Sequence, residues 1–225
     1  GALAIDPSYL DAKTELASNY LHQYETGLID ADEAVTKTLA MTAQVLAERP
    51  DNPEALAIQI YIEARTAARQ GDPSAVTNAI ALLDTLVAHN PSLYQIRALL
   101  GHFLQGTGQI DRALTLQLDG LHRDPLNPQI LFSLGSLYSG LGQLDKARES
   151  LQQSLTIEKR QPNAYVQLAE VSLQSGNGAD FVRHSLTAIS IDPQDHEIPG
   201  FIALFLYRLG LIEEGDDFRD QVFAI

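Results

Sequence analysis

The side chains that could support chemistry in this 225-residue chain are six histidines, 29 acidic residues and a few glycine-bearing turns. His22, His89, His102, His122, His184 and His196 fall on different segments, and no two have the spacing of a metal-ligand pair. His196 and Glu197 open like the zinc-protease motif HExxH, but Gly200 stands where the second histidine belongs. GTGQID at 106–111 and GNGADF at 176–181 resemble pieces of a dinucleotide loop. Each follows a helical pattern rather than a strand, and each lacks the third glycine, so both read as turns between helices. LGSLYSG at 134–140 does not have nucleophile-elbow spacing, and no Gly-Lys-Ser/Thr phosphate loop occurs. Cysteine is absent, which removes disulfides, thiolate metal sites and a cysteine nucleophile. The carboxylates fall where helix surfaces are expected to be wet, whereas acid–base catalysis needs two with contrasting environments. No catalytic residue, metal site or cofactor is expected, and the segment is not expected to be an enzyme.

Charge and hydropathy narrow the partners. The net charge of −14 repels phosphate backbones, whose binding needs clustered Lys and Arg, so nucleic acid is excluded as a ligand. The acidic cluster Glu213, Glu214, Asp216, Asp217 and Asp220 is the place where a basic partner deserves a test. The apolar run Ile198–Ile212, interrupted by Arg208, falls short of the roughly 18 residues a bilayer crossing needs. It reads as a buried helix rather than a membrane span. No signal peptide is visible, but the chain opens at Gly1 rather than Met, so the compartment is not read from it; a soluble protein is expected, with the cytoplasm favoured.

What must position any functional side chain is a repeat. Leu100, Leu134, Leu168 and Ile202 recur at 34-residue intervals, as do Gly101, Gly135, Ala169 and Ala203, and again Gly108, Gly142, Gly176 and Gly210. The small residues of the second column let two helices approach closely, and the glycines of the third end a helix in a left-handed conformation. From Pro128 to Leu141 the apolar residues Leu131, Leu134 and Tyr138 have helical spacing; after Gly142, so do Leu144, Ala147, Leu151 and Leu155. Neither helix can bury its apolar stripe alone, so neighbouring hairpins must stack.

Pro7, Pro50, Pro91, Pro125 and Pro193 each close a second helix. Their spacing divides the chain into units at about 10–52, 53–93, 94–127, 128–161, 162–195 and 196–225. The first two units exceed 34 residues, which predicts longer first helices or longer turns after them. Residues 2–7 read like the tail of a preceding second helix, and the chain opens at Gly1, so the array is expected to be part of something longer.

The unit 128–161 carries Leu131, Leu134, Gly135, Tyr138, Gly142, Ala147 and Leu151, the order that marks a tetratricopeptide repeat, with Leu for the usual aromatic and Lys159 for the usual proline. Unit 94–127 supplies Leu100, Gly101, Gly108, Ala113 and Pro125 but has Arg97 at the aromatic place. Unit 162–195 supplies Tyr165, Leu168, Ala169, Gly176, Ala188 and Pro193. Residues 10–225 therefore resemble a tetratricopeptide-repeat protein. The resemblance implies an all-α fold: a single domain forming a right-handed superhelical solenoid of stacked antiparallel helix hairpins, about six repeats long.

It also implies a function, a non-catalytic scaffold for protein–protein interaction. In similar proteins the first helix of each unit lines a concave groove, which here would present His22, Tyr61, Arg65, His102, Gln105, Phe132, Ser136, Glu170, Gln174, Tyr207 and Arg208 to a peptide or a partner's helix. Tyr61, Phe132 and Tyr207 would be aromatic anchors, and Arg65 and Arg208 would meet a carboxylate. The clamp by which some such proteins hold a C-terminal carboxylate is not supported, because Ser18, Tyr61 and His102 occupy its places. The alternative is a self-associating or regulatory segment of a larger protein such as a transcription regulator, cyclase or transferase. There the apolar end, with Phe201, Phe205 and Phe223, would form a homodimer.

Overall fold

Caps and turns cut the chain into helices at places its residue chemistry dictates. The computed structural model describes residues 6, 8–25, 29–192, 197–208, 210–213 and 215–217. In it lie α1 (Leu10–Glu25), α2 (Ala31–Glu48), α3 (Pro53–Arg69), α4 (Ser74–His89), α5 (Tyr94–Gly106), α6 (Ile110–Arg123), α7 (Pro128–Gly140), α8 (Leu144–Ile157), α9 (Pro162–Gln174), α10 (Gly178–Ile191) and α11 (Glu197–Arg208). No strand occurs among the described residues.

Helix starts are set by side chains that satisfy the orphan N–H groups of the first turn. Asp30 accepts from the Asp32 and Glu33 amides, Asn52 from Ala55, Asn127 from Gln129 and Ile130, and Asn177 from Asp180. Pro53, Pro128 and Pro162 stand in the first turn of their helices, where no donor is lost. The first helices end on left-handed glycines, with φ of +97° at Gly71, +74° at Gly108, +69° at Gly142 and +75° at Gly176. After each, the next amide reaches back five residues: Asp72 to Ala67, Gln109 to Leu104, Gln143 to Tyr138 and Asn177 to Ser172, at 2.8–3.0 Å. This is the Schellman turn. Gly71 lies outside the 34-residue column because the turn after it and α4, with 16 residues against 14 in α6, are longer.

The extra length is not confined to first helices. α2 and α4 have 18 and 16 residues against 14 in α6, α8 and α10, while α1 and α3 have 16 and 17 against 13 in α5, α7 and α9. The first helices are longer, as expected, and so is the turn at 70–73; the longer second helices α2 and α4 are an addition that the spacing did not reveal.

The chain forms two compact units, Gly1–Arg123 and Asp124–Ile225. In the first, α1 packs on α2, α3 on α4 and α5 on α6, and the first helices also meet one another, α1 with α3 and α3 with α5. Ala17, Val45, Ile58, Ile62, Leu83, Ile96 and Leu104 fill its core. Gln95 of α5 donates to the Ser18 hydroxyl of α1, tying these helices across α3.

In the second unit, α7 packs on α8, α9 on α10, and α7 on α9. Ala147, Leu151, Ala164, Leu168 and Val171 form one apolar cluster, and Ala169, Phe181, Ala188 and Ile202 another. Close approach is enforced at Gly135, where an added Cβ would stand 2.5 Å from Leu151 Cγ. At Gly101 the same atom would meet Gln117 Nε2 at 3.0 Å.

Arg97, at the place where the repeat usually has an aromatic, is a core residue with a side chain 2% exposed. Its guanidinium donates to the carbonyls of Leu116 at 2.7 Å and Pro91 at 2.9 Å, and lies 3.5 Å from Asp119 Oδ2. Burial pushes its pKa down, and Asp119 opposes that shift. A planar fork reaching two carbonyls thus replaces ring packing.

Candidate interaction surface

The first-helix face of the first unit gathers aromatic and cationic side chains because successive first helices present them at helical spacing. On α1, Tyr20 and Tyr24 are four residues apart, as are Tyr61, Arg65 and Arg69 along α3, so each set shares a face. Lys37 Nζ lies 5.1 Å from the Tyr20 ring centre. The Arg65 guanidinium lies between two rings, 5.3 Å from the centre of Tyr24 and 5.6 Å from that of Tyr61, and donates to Tyr61 Oη at 2.9 Å. Arg69 lies 6.0 Å from the Tyr24 ring and 3.9 Å from Asp32 Oδ1. Tyr61 in turn stacks on Phe103 of α5, centres 4.6 Å apart, with the His102 ring at 6.2 Å. A run of ring and guanidinium contacts thus joins α1, α3 and α5.

The α3 and α5 members of this run border a cavity of about 540 Å³. Tyr61, Arg65, Arg69, Val76, His102 and Phe103 are among its lining residues, with Ala68, Pro73, Gly106 and Thr107. Its walls are mainly carbon and its polar groups sit at a few points, the usual make-up of a recognition pocket.

Of the residues expected to face a groove, Tyr61, Arg65 and His102 are brought together here. Tyr61 is 0% exposed, so its ring is floor rather than a free anchor; it is spent on packing Phe103 and holding Arg65. His102 is exposed, and Arg65 and Gln105 are half-buried. His22 is exposed on α1.

In the second unit, Phe132 is half-buried against the Ala147–Leu151 cluster, Ser136 and Glu170 are half-buried, and Gln174 is exposed and donates to Glu170 at 3.2 Å. Tyr207 donates to Asp216 Oδ1 at 2.8 Å. The side chains of Phe201, Phe205 and Arg208, and all of Phe223, lie outside the described residues. Arg69, Tyr24 and Phe103 belong to the cavity's surroundings and were not legible as such. Their signal was present, since Arg69 follows Arg65 by one helical turn.

Among the described residues no group of three or more His, Asp or Glu side chains is arranged to hold a metal ion. No described helix is long and apolar enough to cross a membrane.

Residues 128–161 match the tetratricopeptide-repeat family. The fold is similar to that of a thermophilic tetratricopeptide-repeat protein of Thermus thermophilus, with a TM-score of 0.67 at 25% identity over 87% of this chain and 99% of that one. It is similar to a tetratricopeptide-repeat protein of Parabacteroides merdae, TM-score 0.62 at 17% identity over 95% and 80% of the two chains. It is also similar to MamA of Desulfovibrio magneticus, TM-score 0.52 at 17% identity over 82% and 97%. No curated protein matches the sequence.

Proposed function

We propose that the chain, a tetratricopeptide-repeat protein, is a non-catalytic scaffold that holds a peptide or partner helix on its first-helix face. The observation that supports this most is the cavity of about 540 Å³ beside α3 and α5, where exposed His102 and Arg69 rim carbon-lined walls. A pre-stacked Arg65 loses little side-chain freedom on meeting a ligand, which favours binding. On the second unit, taken by itself, Phe132, Ser136, Glu170, Gln174, Tyr207 and Arg208 remain the proposed contacts, and treating 1–225 as one repeat domain belongs to the same proposal.

The test is capture of a partner from native extract by the full chain beside a variant carrying Arg69→Glu and His102→Ala. Both changes fall on exposed side chains, and circular dichroism checks that the helix content is equal. A protein retained by the first and lost by the second supports the reading. Equal recovery by both contradicts it.

Self-association is the second reading, favoured by the exposed Leu204, Leu211 and Ile212 at the last described elements of the second unit. Phe201, Phe205 and Phe223 remain its proposed contacts. Chain mass in solution tests it: a monomer at high micromolar concentration rules it out.

A further inference from the structure

The cavity of the first unit reverses the sign of the chain around it. The protein carries a net −14, yet two guanidinia from adjacent turns of α3 converge on this one carbon-lined cavity. They do different work. Arg65 is engaged by the frame, lying between Tyr24 and Tyr61 and donating to Tyr61. Arg69 is held first by the Tyr24 hydroxyl, the main cause of its raised pKa, but keeps 49% of its side chain in water, and its ion-pair partner Asp32, in the first turn of α2, is 94% exposed at 3.9 Å. An ion pair so long and so wet is weak, and a better-placed carboxylate displaces it. A bidentate carboxylate on a guanidinium makes two charge-assisted hydrogen bonds, which the 3.9 Å pair does not. The cavity that Arg69 lines also has Ala68, Val76 and Phe103 in its walls, which take an apolar group.

Resting on the scaffold reading, we infer that this cavity is a subsite for a partner peptide carrying an acidic side chain next to an apolar one. The acid meets Arg69, the apolar neighbour enters the cavity, and Asp32 is the chain's own competitor for that guanidinium. The competition is the distinctive feature. Removing a charge from the protein at Asp32 strengthens the site, whereas removing one at Arg69 weakens it.

The experiment is fluorescence anisotropy of the full chain with three labelled ten-residue peptides. One alternates leucine and glutamate and is C-terminally amidated, the second replaces glutamate by glutamine, and the third is the glutamine peptide with a free terminal carboxylate. The glutamate peptide is expected to bind about tenfold more tightly than its glutamine counterpart, Arg69→Gln to weaken it about three- to tenfold, and Asp32→Asn to tighten it about two- to fivefold. Its affinity falls with added salt.

Equal binding of glutamate and glutamine peptides overturns the inference, as does an affinity indifferent to both substitutions. Binding of the free-carboxylate peptide alone also overturns it, in favour of a chain terminus as the occupant. If the glutamate peptide fails while extract capture is still lost in a variant carrying His102→Ala alone, the scaffold stands and the acidic subsite falls. If capture fails as well, both fall.

Discussion

Gly135 of α7 faces Leu151 of α8 so closely that a methyl group on it would stand 2.5 Å from Leu151 Cγ, with the Ala147 carbonyl at 3.3 Å. Two effects of Gly135→Ala oppose each other. Helix propensity favours alanine by about 1 kcal/mol, while forcing a methyl into a filled contact costs about 1–3 kcal/mol. Here the obstacle is a branch carbon of a fully buried leucine rather than a mobile tip, so the overpacking cost wins. The expected result is a net loss of about 1 kcal/mol in chemical denaturation.

Gly101→Ala is the contrasting case. Its added methyl meets only the amide end of Gln117 at 3.0 Å, a flexible tip but a buried one, so the modest cost of shifting it offsets the helix-propensity gain of about 1 kcal/mol. Its stability is expected to stay within about 0.5 kcal/mol of wild type, and a loss as large as that at Gly135 would contradict this account of the contact.

Arg97 is predicted to be irreplaceable by lysine. Lysine cannot bridge the Leu116 and Pro91 carbonyls with a planar fork, and its compact charge is dearer to bury. Arg97→Lys and Arg97→Ala are both expected to lose about 2–4 kcal/mol in urea unfolding, from unpaired carbonyls and lost packing. A loss below about 0.5 kcal/mol for lysine would show that the fork is dispensable.

His184 carries a pH dependence of known sign. Burial lowers its pKa, Arg183 and Arg148 add to the effect, Asp180 opposes it, and the ring lies 6.2 Å from that of Tyr165. Folding therefore favours the neutral imidazole. The unfolded chain binds the proton more readily, so this contribution is present above the unfolded pKa of about 6.5 and is lost as pH falls through the lowered folded value. Unfolding free energy measured between pH 7.5 and 5 is expected to decline more steeply for the wild type than for His184→Gln. Parallel curves would contradict the assignment.

Gly142→Ala tests the turns. At φ of +69° an alanine is strained by about 1–2 kcal/mol, with nothing nearby for its methyl to strike. Its midpoint in thermal unfolding should fall, unlike that of a glycine with ordinary φ in open space such as Gly140.

These turns also show what was legible. Gly108, Gly142 and Gly176 stand in a sequence column and take the left-handed conformation that a helix end demands, and Gly101 and Gly135 sit where small residues were read as close approaches. One-dimensional spacing suffices for such features because each is local or recurs in register. Gly71 stands outside the column because the longer turn after it and the longer α4 break the period.

The cavity was legible only in part. Tyr61, Arg65 and His102 could be assigned to first helices, but whether a ring points to solvent or to Phe103 depends on contacts 42 residues apart in sequence. The expectation of Tyr61 as an anchor is thus corrected: its ring is floor. Arg97 looked like a break in the repeat, since no pattern reveals that two carbonyls wait for its guanidinium.

The central claim, that the first-helix face of the first unit holds a partner, is tested most directly by placing the photocrosslinker benzoylphenylalanine at His102 and, separately, at exposed Leu118 on α6. Irradiation in native extract is predicted to yield a discrete heavier adduct from position 102 that Arg69→Glu abolishes, and none from position 118. An adduct from 118 alone, or none from 102, would contradict it, and one from 102 indifferent to Arg69→Glu would contradict the acidic subsite.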